Sequence, residues 1–556
     1  NKEERKARYY EDRYRIESPE QICTDDIMIC PVNITYYPIR PDKTFINSLV
    51  NYFVKDMPER LEEEIRVEGQ IFFSETDISV YFDEPIAMGT YLDNIMPVTR
   101  LMLPFVSTKK RNDLIFFLEK KKLTRKFMKS IYTNVAVNID HLFCACIRHC
   151  THKQLDEENL KRMIYLCADK LHRIKERRSH PTLRAGLLEL ISHKKHKPYE
   201  EIFKLALKEC AIAKKDNKLY LTAKGIREKK ALHSYRLRRL VNVFSNEVEP
   251  LTLLMKEIKT ITHLTDKNLK SQLVQTLIQQ DLEEYERDYL KYFTPNISHS
   301  KDIGQPFFLD GKDNNIGIVL CHGYMAAPKE VEDFAIYLHQ LGYSVYCPRM
   351  VGHGTAPQNL KDVSHEDWIK SYERGIAIIS NHCKHTYAAG FSAGGLLALY
   401  TASFRNQNLQ GIISINTPLK LRDLKNKLVP AAAVWNAFLE KIHIDKGKID
   451  FVSNQSENPH INYNQNYIHG IHELQKMIDA CLAQLSEITL PTLILQSKKD
   501  PVVHPDSAKT IHDKLSSKKK EIEYTSHENH IIIKGKDSFP VFQRVVQFME
   551  RHSVND

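Results

Sequence analysis

The feature that most constrains the fold is a short run of small residues around one serine, GFSAG (390–394). The segment before it, TYAAG (386–390), has the composition of a buried strand, and GGLLALYTASF (394–404) has the pattern of a helix. Small residues allow the chain to turn sharply from the strand into the helix. Such a turn would lift the Ser392 hydroxyl above the end of a sheet, which predicts a serine nucleophile.

A pattern of strand, turn and helix repeats along residues 301–556. Helix-like segments span 330–341 and 368–380. The other strand-like segments are short and apolar: IGIVL (316–320), SVYCP (344–348), GIISI (411–415), TLILQ (492–496) and EIEYT (521–525). Because strands that alternate with helices form parallel sheets, this half is predicted to be α/β, with helices on both faces of a mostly parallel sheet.

Further along the chain, an aspartate and a histidine complete a set for nucleophilic catalysis. A serine hydroxyl needs an imidazole as base and a carboxylate that orients the imidazole. Asp500 follows TLILQ, and His530 follows EIEYT, in the expected chain order. Asp506 competes as the acid, but it opens a helix-like segment and suits an N-terminal cap. His527 competes as the base, and His530 is preferred because apolar residues 531–533 would anchor it.

Acyl transfer through a serine also requires backbone N–H donors for the oxyanion of the tetrahedral intermediate. One is usually supplied by the residue after the nucleophile, here Ala393, and one by the loop after an early strand, here Tyr324. Tyr324 follows His322 and Gly323 at the end of IGIVL, where glycine allows the chain to pass close to a substrate. We interpret His322 as shaping this loop rather than transferring protons.

Five short motifs of this half resemble the carboxylesterase and monoacylglycerol-lipase branch of the α/β-hydrolases: LCHGY, GHG (352–354), GFSAGG, SKKDPVVHPDSA and SHENHIII. The resemblance implies an α/β-hydrolase fold and an acyl-enzyme mechanism. It assigns the nucleophile to Ser392, the acid to Asp500 and the base to His530. It likewise assigns the oxyanion donors to Tyr324 and Ala393.

Members of this family carry a cap inserted after the sixth strand, and residues 417–487 are the matching insert. The insert contains the apolar, helix-like LVPAAAVWNAFLEKI, which would cover an acyl pocket. The chain contains no glycine-rich nucleotide loop of the G-x-x-x-x-G-K-S/T type. We therefore expect neither a cofactor nor a metal ion in the site.

One cluster in the N-terminal half contains zinc-ligand residue types: Cys144, Cys146, His149, Cys150 and His152. A zinc ion would need four of them to converge tetrahedrally. On a helix, Cys146 and Cys150 share a face but Cys144 does not. The favoured interpretation is small thiols that face the core.

The N-terminal half has a different pattern. Two β-rich runs, DIMICPVNITYYPIR (26–40) and TDISVYFDEPI (76–86), are predicted to be strands of one sheet, with helical spacing in 45–69 between them. Amphipathic helical windows dominate from 91 to 292, and the polar stretch 294–304 marks a boundary. The predicted domains are a partial α/β region at 1–100, a helical domain at 101–298 with a stretch resembling a winged-helix unit at 199–225, and the hydrolase domain at 299–556.

The segments ICPVNITYYPIRP (29–41) and TDISVYFDEPI (76–86) resemble the later part of the glycerophosphate and lysophosphatidate acyltransferase family, where a strand with proline and valine precedes a strand ending near glutamate and proline. That family acts through a histidine and an aspartate with four residues between them. None of the 25 histidines here is followed by aspartate at that spacing, and the family's phenylalanine-proline-glutamate-glycine block is absent. Because the chain starts at Asn1 without methionine, we expect the motif upstream, so the alternative function is a glycerolipid acyltransferase fused to the hydrolase.

The basic charge is concentrated in residues 1–300, which hold 52 Lys and Arg against 43 Asp and Glu, out of a net charge of +10 for the chain. Basic runs at 109–111, 120–122 and 194–195 suit an anionic membrane surface, although solvated helix faces are the simpler interpretation. The 11 scattered cysteines suit reduced thiols. We expect a cytoplasmic protein with peripheral membrane contact and without a nucleic-acid partner; no feature of the sequence indicates an oligomeric state.

These observations predict a serine hydrolase that cleaves carboxylic esters of fatty acyl groups. Monoacylglycerol or lysophospholipid is the favoured substrate class, because of the family resemblance and the basic N-terminal half. A lipid-surface or nucleic-acid binding protein with a vestigial hydrolase domain is disfavoured, because Ser392, Asp500 and His530 are all present.

Overall fold

The computed structural model describes residues 28–40, 76–87, 107–152, 154–174, 178–183, 186–192, 194–216, 218–222, 240–312, 314–404, 409–422 and 450–553. Contacts within the chain divide it into two compact units. The first comprises Asn1–Leu187 and Lys197–His263, and the second comprises Leu188–His196 and Leu264–Asp556.

The first unit combines short strands with helices. Its described strands are β1 (Met28–Ile29), β2 (Val32–Tyr37), β3 (Asp77–Phe82), β4 (Ile86–Ala87), β5 (Gln154–Asp156), β6 (Ile212–Lys215) and β7 (Lys218–Leu221). The described helices up to residue 263 are α1 (Thr108–Thr133), α2 (Ile139–His149), α3 (Glu157–Arg173), α4 (Leu187–Ile191), α5 (Lys197–Lys208), α6 (Leu240–Val248) and α7 (Thr252–Thr262). All of them belong to the first unit except α4, which lies in the second unit from Leu188 onward. Helices α2 and α3 bury apolar side chains along most of their length, which gives this unit its core.

Strands β2 and β3 pair antiparallel along their whole length. The pairing confirms the prediction that the runs 26–40 and 76–86 contribute strands to one sheet. Alternate residues of β2 are buried, so one face of the pair packs inward, as strand geometry dictates. The predicted helical segment at 45–69 lies outside the described residues.

A further antiparallel sheet in this unit has the strand order β5-β7-β6. Helix α5 precedes the hairpin of β6 and β7, and Asp216 takes a positive φ of 48° at the turn. A helix followed by a hairpin is the arrangement that the stretch 199–225 indicates, while Asn217 and 223–225 lie outside the described residues. The assignment as a winged-helix unit stays a prediction.

The second unit is built, within the described residues, on a seven-stranded sheet with the order β16-β15-β12-β11-β9-β10-β8. Its strands are β8 (Phe307–Leu309), β9 (Ile316–Cys321), β10 (Ser344–Cys347), β11 (His385–Phe391), β12 (Gly411–Ile415), β15 (Thr492–Ser497) and β16 (Lys520–Thr525), and a separate hairpin comprises β13 (Phe451–Ser453) and β14 (Gln465–Tyr467). The described helices from residue 264 onward are α8 (Asp266–Tyr292), α9 (Lys301–Gly304), α10 (Glu332–Gln340), α11 (His365–His382), α12 (Ala393–Ser403), α13 (Ile468–Gln484), α14 (Asp506–Lys514) and α15 (Phe539–His552).

The large sheet is parallel except for β8, which pairs antiparallel with β10. Its central strands are buried on both faces, and Phe334 stacks on Phe542 with ring centroids 4.5 Å apart in the core between helix and sheet. This architecture confirms the predicted α/β-hydrolase fold for the C-terminal half. The edge strand β8 was not predicted, because three apolar residues show no periodicity.

The insert between β12 and β15 is described at its two ends. Near its start, Leu421 forms an antiparallel bridge to Val503. From residue 450 the chain returns through the hairpin of β13 and β14 and through α13. The predicted apolar helix at 428–442 lies outside the described residues.

Helix α8 belongs to the second unit, whose longer segment begins at Leu264, whereas the sequence predicts a boundary within 294–304. Asp281 on this helix is buried, accepts a hydrogen bond from Tyr346 and forms an ion pair with Arg374. These contacts join residues far apart in the chain, so a change of local pattern does not reveal them. None of the described helices, α8 included, is both long and apolar enough to cross a bilayer.

Candidate active site

The turn between β11 and α12 holds Ser392 in a conformation that few residues adopt. Ser392 has a φ of 53°, which costs a residue other than glycine about 1–3 kcal/mol that the surrounding packing must offset. A Cβ atom on Gly390 would overlap the backbone of Gly394, so no larger residue fits there. The Ser392 N–H donates to the Ile415 carbonyl at 2.8 Å, which fixes the turn against β12.

The structure brings the three predicted catalytic residues into one hydrogen-bonded chain. His530 Nε2 lies 3.1 Å from Ser392 Oγ, and His530 Nδ1 lies 2.7 Å from Asp500 Oδ2. Asp500 is fully buried, and its Oδ1 accepts the N–H groups of Val502 and Val503 at 2.8 Å each. A carboxylate held in this way selects the imidazole tautomer with a proton on Nδ1 and a lone pair on Nε2.

Two residues without any local sequence signal hold the backbone of His530. Asn416, which follows β12 with a φ of 45°, donates from Nδ2 to the His530 carbonyl at 2.7 Å. Asn416 Oδ1 accepts the Ser497 N–H at 2.8 Å. On the other side, the Glu457 carboxylate accepts the N–H groups of His530 and Ile531, each at 2.9 Å. Because Asn416 and Glu457 lie 114 and 73 residues from His530, only the fold reveals them.

The competing acid and base have other partners. Asp506 begins α14 with 63% of its side chain exposed, and it pairs with His504 at 3.2 Å. His527 Nε2 lies 3.0 Å from the Asp537 carbonyl oxygen. In the part of the chain that the structure describes, neither competitor is hydrogen-bonded to Ser392. The geometry therefore favours the pair that the sequence analysis preferred.

The two predicted oxyanion donors border the nucleophile. A Cβ atom built on Gly323, which precedes Tyr324, would lie 3.3 Å from Ser392 Cβ. Ala393 begins α12, where backbone N–H groups have no acceptor within the helix. Among the described residues, neither the Tyr324 nor the Ala393 N–H forms a backbone hydrogen bond. Both amides can therefore donate to an oxyanion formed at Ser392.

The Tyr324 side chain anchors its loop. Its ring centroid lies 5.7 Å from those of His353 and Trp368, and its hydroxyl donates to Asn466 Oδ1 at 2.9 Å. Burial raises the pKa of the Tyr324 hydroxyl, so the group remains a hydrogen-bond donor. Asn466 lies in β14, and the insert therefore contacts the loop of the proposed oxyanion donor directly.

His322 supports the same loop from behind. The Met350 N–H donates to His322 Nε2 at 3.2 Å, which leaves the proton on Nδ1, 2.8 Å from the Gly323 carbonyl oxygen. Burial, together with nearby Arg349, lowers the pKa of His322 to about 3. The imidazole is therefore neutral near pH 7 and has the loop-shaping role inferred from the sequence.

Glu330 is a carboxylate of this site that the sequence did not reveal. It is buried, and its Oε2 accepts the Gly323 N–H at 2.7 Å. Burial raises the pKa of Glu330 to about 7, although the charges of His530 and Lys534 act in the opposite direction. In the sequence Glu330 stands among other acidic residues at the start of a helix, where solvated charge is the ordinary expectation.

One set of described side chains has the geometry to share a metal ion, comprising His365, Glu366 and Glu473. Glu473 is buried and already pairs with His365 and with Lys476, each at 2.7 Å. These pairs neutralise its charge and lower the pKa of Glu473 to about 2 against the opposing effect of burial. The set therefore joins the start of α11 to α13.

The cysteine and histidine cluster of the first unit is divided among other contacts. Cys144 and Cys146 are buried, which confirms that these thiols face the core. Cys146 Sγ lies 3.7 Å from Cys167 Sγ, and His149 Nε2 lies 2.9 Å from Glu249 Oε1. Among the described residues, the five members do not converge as a set of metal ligands.

A serine at a tight strand-to-helix turn, joined through a histidine to a buried aspartate above a mostly parallel sheet, defines a serine hydrolase of the α/β-hydrolase fold. Residues 313–537 match the family described as serine aminopeptidase, S33. The C-terminal half of the chain is thus an α/β-hydrolase, and it is a carboxylic ester hydrolase of the esterase and lipase type.

The proteins to which this chain is similar match its C-terminal half. The chain is 26% identical over 252 residues to a thermostable monoacylglycerol lipase of Bacillus sp. (strain H-257), a match that covers 45% of this chain and 95% of that protein. It is 24% identical over 254 residues to a carboxylesterase of Bacillus subtilis (strain 168), covering 44% and 96%. Among solved structures, a monoacylglycerol lipase of Paleococcus ferrophilus is 18% identical, covers 45% of this chain and 98% of its own, and has a TM-score of 0.38.

Proposed function

We propose that the C-terminal half hydrolyses carboxylic esters of fatty acyl groups through an acyl-enzyme on Ser392, with monoacylglycerol or lysophospholipid as the substrate class. The observation that carries this proposal is the chain of hydrogen bonds from Ser392 through His530 to Asp500. The other two proposed participants are the N–H groups of Tyr324 and Ala393 as oxyanion donors.

The first half-reaction acylates the serine. Ser392 Oγ attacks the ester carbonyl while His530 Nε2 takes its proton, and Asp500 stabilises the resulting imidazolium. The carbonyl oxygen becomes an oxyanion, which accepts hydrogen bonds from the Tyr324 and Ala393 amides. Collapse of the intermediate breaks the bond to the alcohol, which leaves with the proton from His530.

The second half-reaction releases the fatty acid. Water loses a proton to His530 Nε2 and attacks the acyl carbonyl, and the same two amides stabilise the second oxyanion. Collapse of this intermediate returns the proton to Ser392 Oγ. The enzyme is then regenerated, with one ester and one water converted to one acid and one alcohol.

The substrate class is supported by the relatives and by composition. The two curated relatives are named as a monoacylglycerol lipase and a carboxylesterase. The insert at 417–487 includes the apolar run LVPAAAVWNAFLEKI, a composition suited to an acyl chain. The excess of basic residues in 1–300 suits substrates presented at an anionic surface.

Hydrolysis of p-nitrophenyl esters of increasing acyl length tests the proposal. We expect the wild type to prefer medium or long acyl chains, and Ser392→Ala to lose turnover by at least about 1,000-fold. The matched control is Ser380→Ala, whose hydroxyl bonds to Ala377 O within α11 and which should retain wild-type turnover. Equal turnover by the wild type and Ser392→Ala would contradict the proposed nucleophile.

A second set of substrates resolves the class. Monoacylglycerol and lysophosphatidylcholine with the same acyl chain compare the two proposed headgroups, and an amino-acid p-nitroanilide tests the peptidase chemistry of the matched family's description. We expect ester hydrolysis and no release of p-nitroaniline. Cleavage of the anilide at a rate above that of every ester would contradict the substrate class.

Peripheral contact with anionic membranes is part of the same proposal. The nine excess positive charges of residues 1–300 predict binding to vesicles that rises with phosphatidylserine content and falls with salt. No disulfide forms among the 10 cysteines in the described part of the chain, which suits the predicted reducing, cytoplasmic environment. Sedimentation with vesicles of 0%, 20% and 40% phosphatidylserine measures the binding.

The alternative of a glycerolipid acyltransferase is favoured by one observation, the paired strands β2 and β3 in the region that resembles that family. Its test is transfer of an acyl group from acyl-CoA to glycerol 3-phosphate or lysophosphatidate. Because no histidine of this chain has an aspartate at the family's spacing, we expect no transfer by these 556 residues. Transfer that survives Ser392→Ala would establish this second activity.

A further inference from the structure

The carboxylate of Glu330 lies in an unusual place for a charged group. It belongs to the 3-10 helix Pro328–Val331 that precedes α10, and only 1% of its surface is exposed. Burying a carboxylate is costly unless hydrogen bonds compensate for the lost hydration. Its described backbone donor is the N–H of Gly323, at 2.7 Å. This donor belongs to the loop that borders the nucleophile.

Gly323 lies between the carboxylate and the nucleophile. A Cβ atom built there would be 3.2 Å from Glu330 Oε2 and 3.3 Å from Ser392 Cβ. The Gly323 carbonyl is held separately, by His322 Nδ1 at 2.8 Å and by the Ala326 N–H at 3.2 Å. Hydrogen bonds therefore fix both ends of this residue.

The orientation of Gly323 decides where the Tyr324 amide points. In a planar trans peptide the C=O of one residue and the N–H of the next point in opposite directions. The Gly323 carbonyl is directed toward His322, so the Tyr324 N–H is directed away from it. The hydrogen bond from the Gly323 N–H to Glu330 limits rotation of the peptide group that precedes Gly323. Hydrogen bonds on both sides of Gly323 therefore fix the orientation of the loop.

The insert contacts the same network. The Asn462 side chain acts to lower the pKa of the Glu330 carboxyl, while Asn462 Oδ1 is buried and has no hydrogen-bond partner among the described residues. The Tyr463 N–H donates to the Met325 carbonyl at 3.0 Å. Protonation of Glu330 would replace an acceptor of this carboxyl group with an O–H donor, which changes the hydrogen bonds that it can form with the loop.

We propose that Glu330 is a positioning residue: its carboxylate fixes the Gly323 N–H by a hydrogen bond and thereby orients the Tyr324 amide toward the oxyanion. This inference rests on the proposed ester hydrolysis. Glu330 does not touch the reacting atoms, and it acts through the loop. Loss of its negative charge weakens the hydrogen bond from the Gly323 N–H, so oxyanion stabilisation decreases when Glu330 is protonated.

Two substitutions separate the hydrogen bond from the charge. Glu330→Gln keeps an acceptor for the Gly323 N–H and removes the charge, whereas Glu330→Leu removes both. The matched control is Glu332→Gln, a nearby glutamate that pairs with Lys329 at 2.9 Å. We expect kcat to fall about 100-fold in Glu330→Leu and less than about tenfold in Glu330→Gln, with KM within about threefold.

The pH profile provides a readout that a purely structural role would not move. Burial raises the pKa of Glu330 to about 7, while the hydrogen bond from Gly323, the Asn462 side chain and the charges of His530 and Lys534 lower it. His530 is the base in both the wild type and Glu330→Gln, so the ratio of their kcat values cancels the pH dependence that the two proteins share. We expect this ratio to fall from pH 8.5 to pH 5.5. A constant ratio would overturn this charge dependence.

Labelling of Ser392 by a fluorophosphonate separates this inference from the proposed function. In that reaction Ser392 Oγ bonds to phosphorus, fluoride leaves, and His530 takes the proton, so no ester substrate is involved. We expect the labelling rate to decrease in the order wild type, Glu330→Gln, Glu330→Leu. The thermal midpoint of each variant shows whether it is folded.

Each outcome has a defined meaning. Wild-type labelling and kcat in Glu330→Leu would overturn the role of Glu330 while leaving ester hydrolysis intact. Normal labelling of the wild type without hydrolysis of any ester would overturn the proposed function. The labelling rates of the variants would still show whether Glu330 positions the loop. If Glu330→Leu fails to fold, the Glu330→Gln rates and pH ratio decide.

Discussion

The two sides of the candidate site are held in different ways. At the Ser392 turn, neighbours in the chain fit so closely that a Cβ atom on Gly390 has no room. At His530, the backbone is held by polar side chains from distant segments, Asn416 and Glu457. The nucleophile is therefore positioned mainly by local sterics, whereas its base is positioned by hydrogen bonds that exist only after the chain has folded.

The largest expected effect on activity comes from a substitution of Asp500, which orients the base His530. Asp500→Asn preserves size but presents an amide donor to His530 Nδ1, which selects the wrong tautomer. We expect kcat for a p-nitrophenyl ester to fall by about 10³–10⁴ with little change in KM. Asp506→Asn, at an exposed position with its own partner His504, should remain within about twofold of the wild type. A larger loss in Asp506→Asn would reverse the assignment of the acid.

The next largest effect comes from a substitution that disturbs the packing of the turn at Ser392. Gly390→Ala places a methyl group onto the Gly394 backbone and should lower the free energy of unfolding by about 3 kcal/mol or more. Gly535→Ala is the control, because this glycine has a φ of 88° but no atom within 4 Å of a Cβ. Its expected cost is only about 1 kcal/mol, from backbone strain alone. Urea unfolding measures both, and equal losses would contradict the steric explanation.

The third prediction concerns the pH dependence of the contribution that Glu330 makes to stability. The folded protein binds the Glu330 proton more tightly than the unfolded chain, because burial raises the pKa from 4.5 to about 7. Ionised Glu330 therefore lowers the free energy of unfolding. The full loss applies above pH 7, and it disappears once the pH is well below 4.5. We expect Glu330→Gln to unfold at a higher urea concentration than the wild type at pH 8, by up to about 3 kcal/mol, and to lose this advantage by pH 4.

The stability measurement on Glu330 has its own control. Glu332→Gln removes a carboxylate whose ion pair is partly exposed, so its effect on unfolding should be within about 0.5 kcal/mol at both pH values. A stabilised Glu330→Gln variant with a lower kcat would show that the site retains a costly charge for function. A destabilised variant at pH 8 would contradict the burial argument.

The smallest effect tests one of the two supports of His530. Glu457→Ala removes the acceptor of the His530 and Ile531 N–H groups but leaves Asn416 in place, so we expect kcat to fall only about tenfold. Glu457→Gln retains an acceptor and should recover most of this loss. Glu528→Ala is the control, since this glutamate is 72% exposed and pairs with Lys499. Equal kcat in all three variants would assign the support to Asn416 alone.

The sequence allowed much of the hydrolase sheet to be predicted, because short apolar strands that alternate with helices are a local signal. The predicted strand at 411–415 coincides with β12, and the one at 492–496 ends one residue before β15 does. The edge strand β8 and the β13–β14 hairpin were missed, since segments of three residues have no measurable period. Helix α8 was predicted as a helix, but its membership of the second unit depends on the buried contact of Asp281 with Arg374.

By itself, the sequence determined the strand-to-helix turn at Ser392 and the chain order of Asp500 and His530, because these depend on neighbouring residues and on strand ends. Glu330 and Glu457, in contrast, resemble any other acidic residue in the sequence. Their roles, and the contact of Asp500 with His530, depend on how the chain folds. Their distinct environments arise from burial and from hydrogen bonds to segments many residues away, and such contacts leave no periodic trace in a sequence.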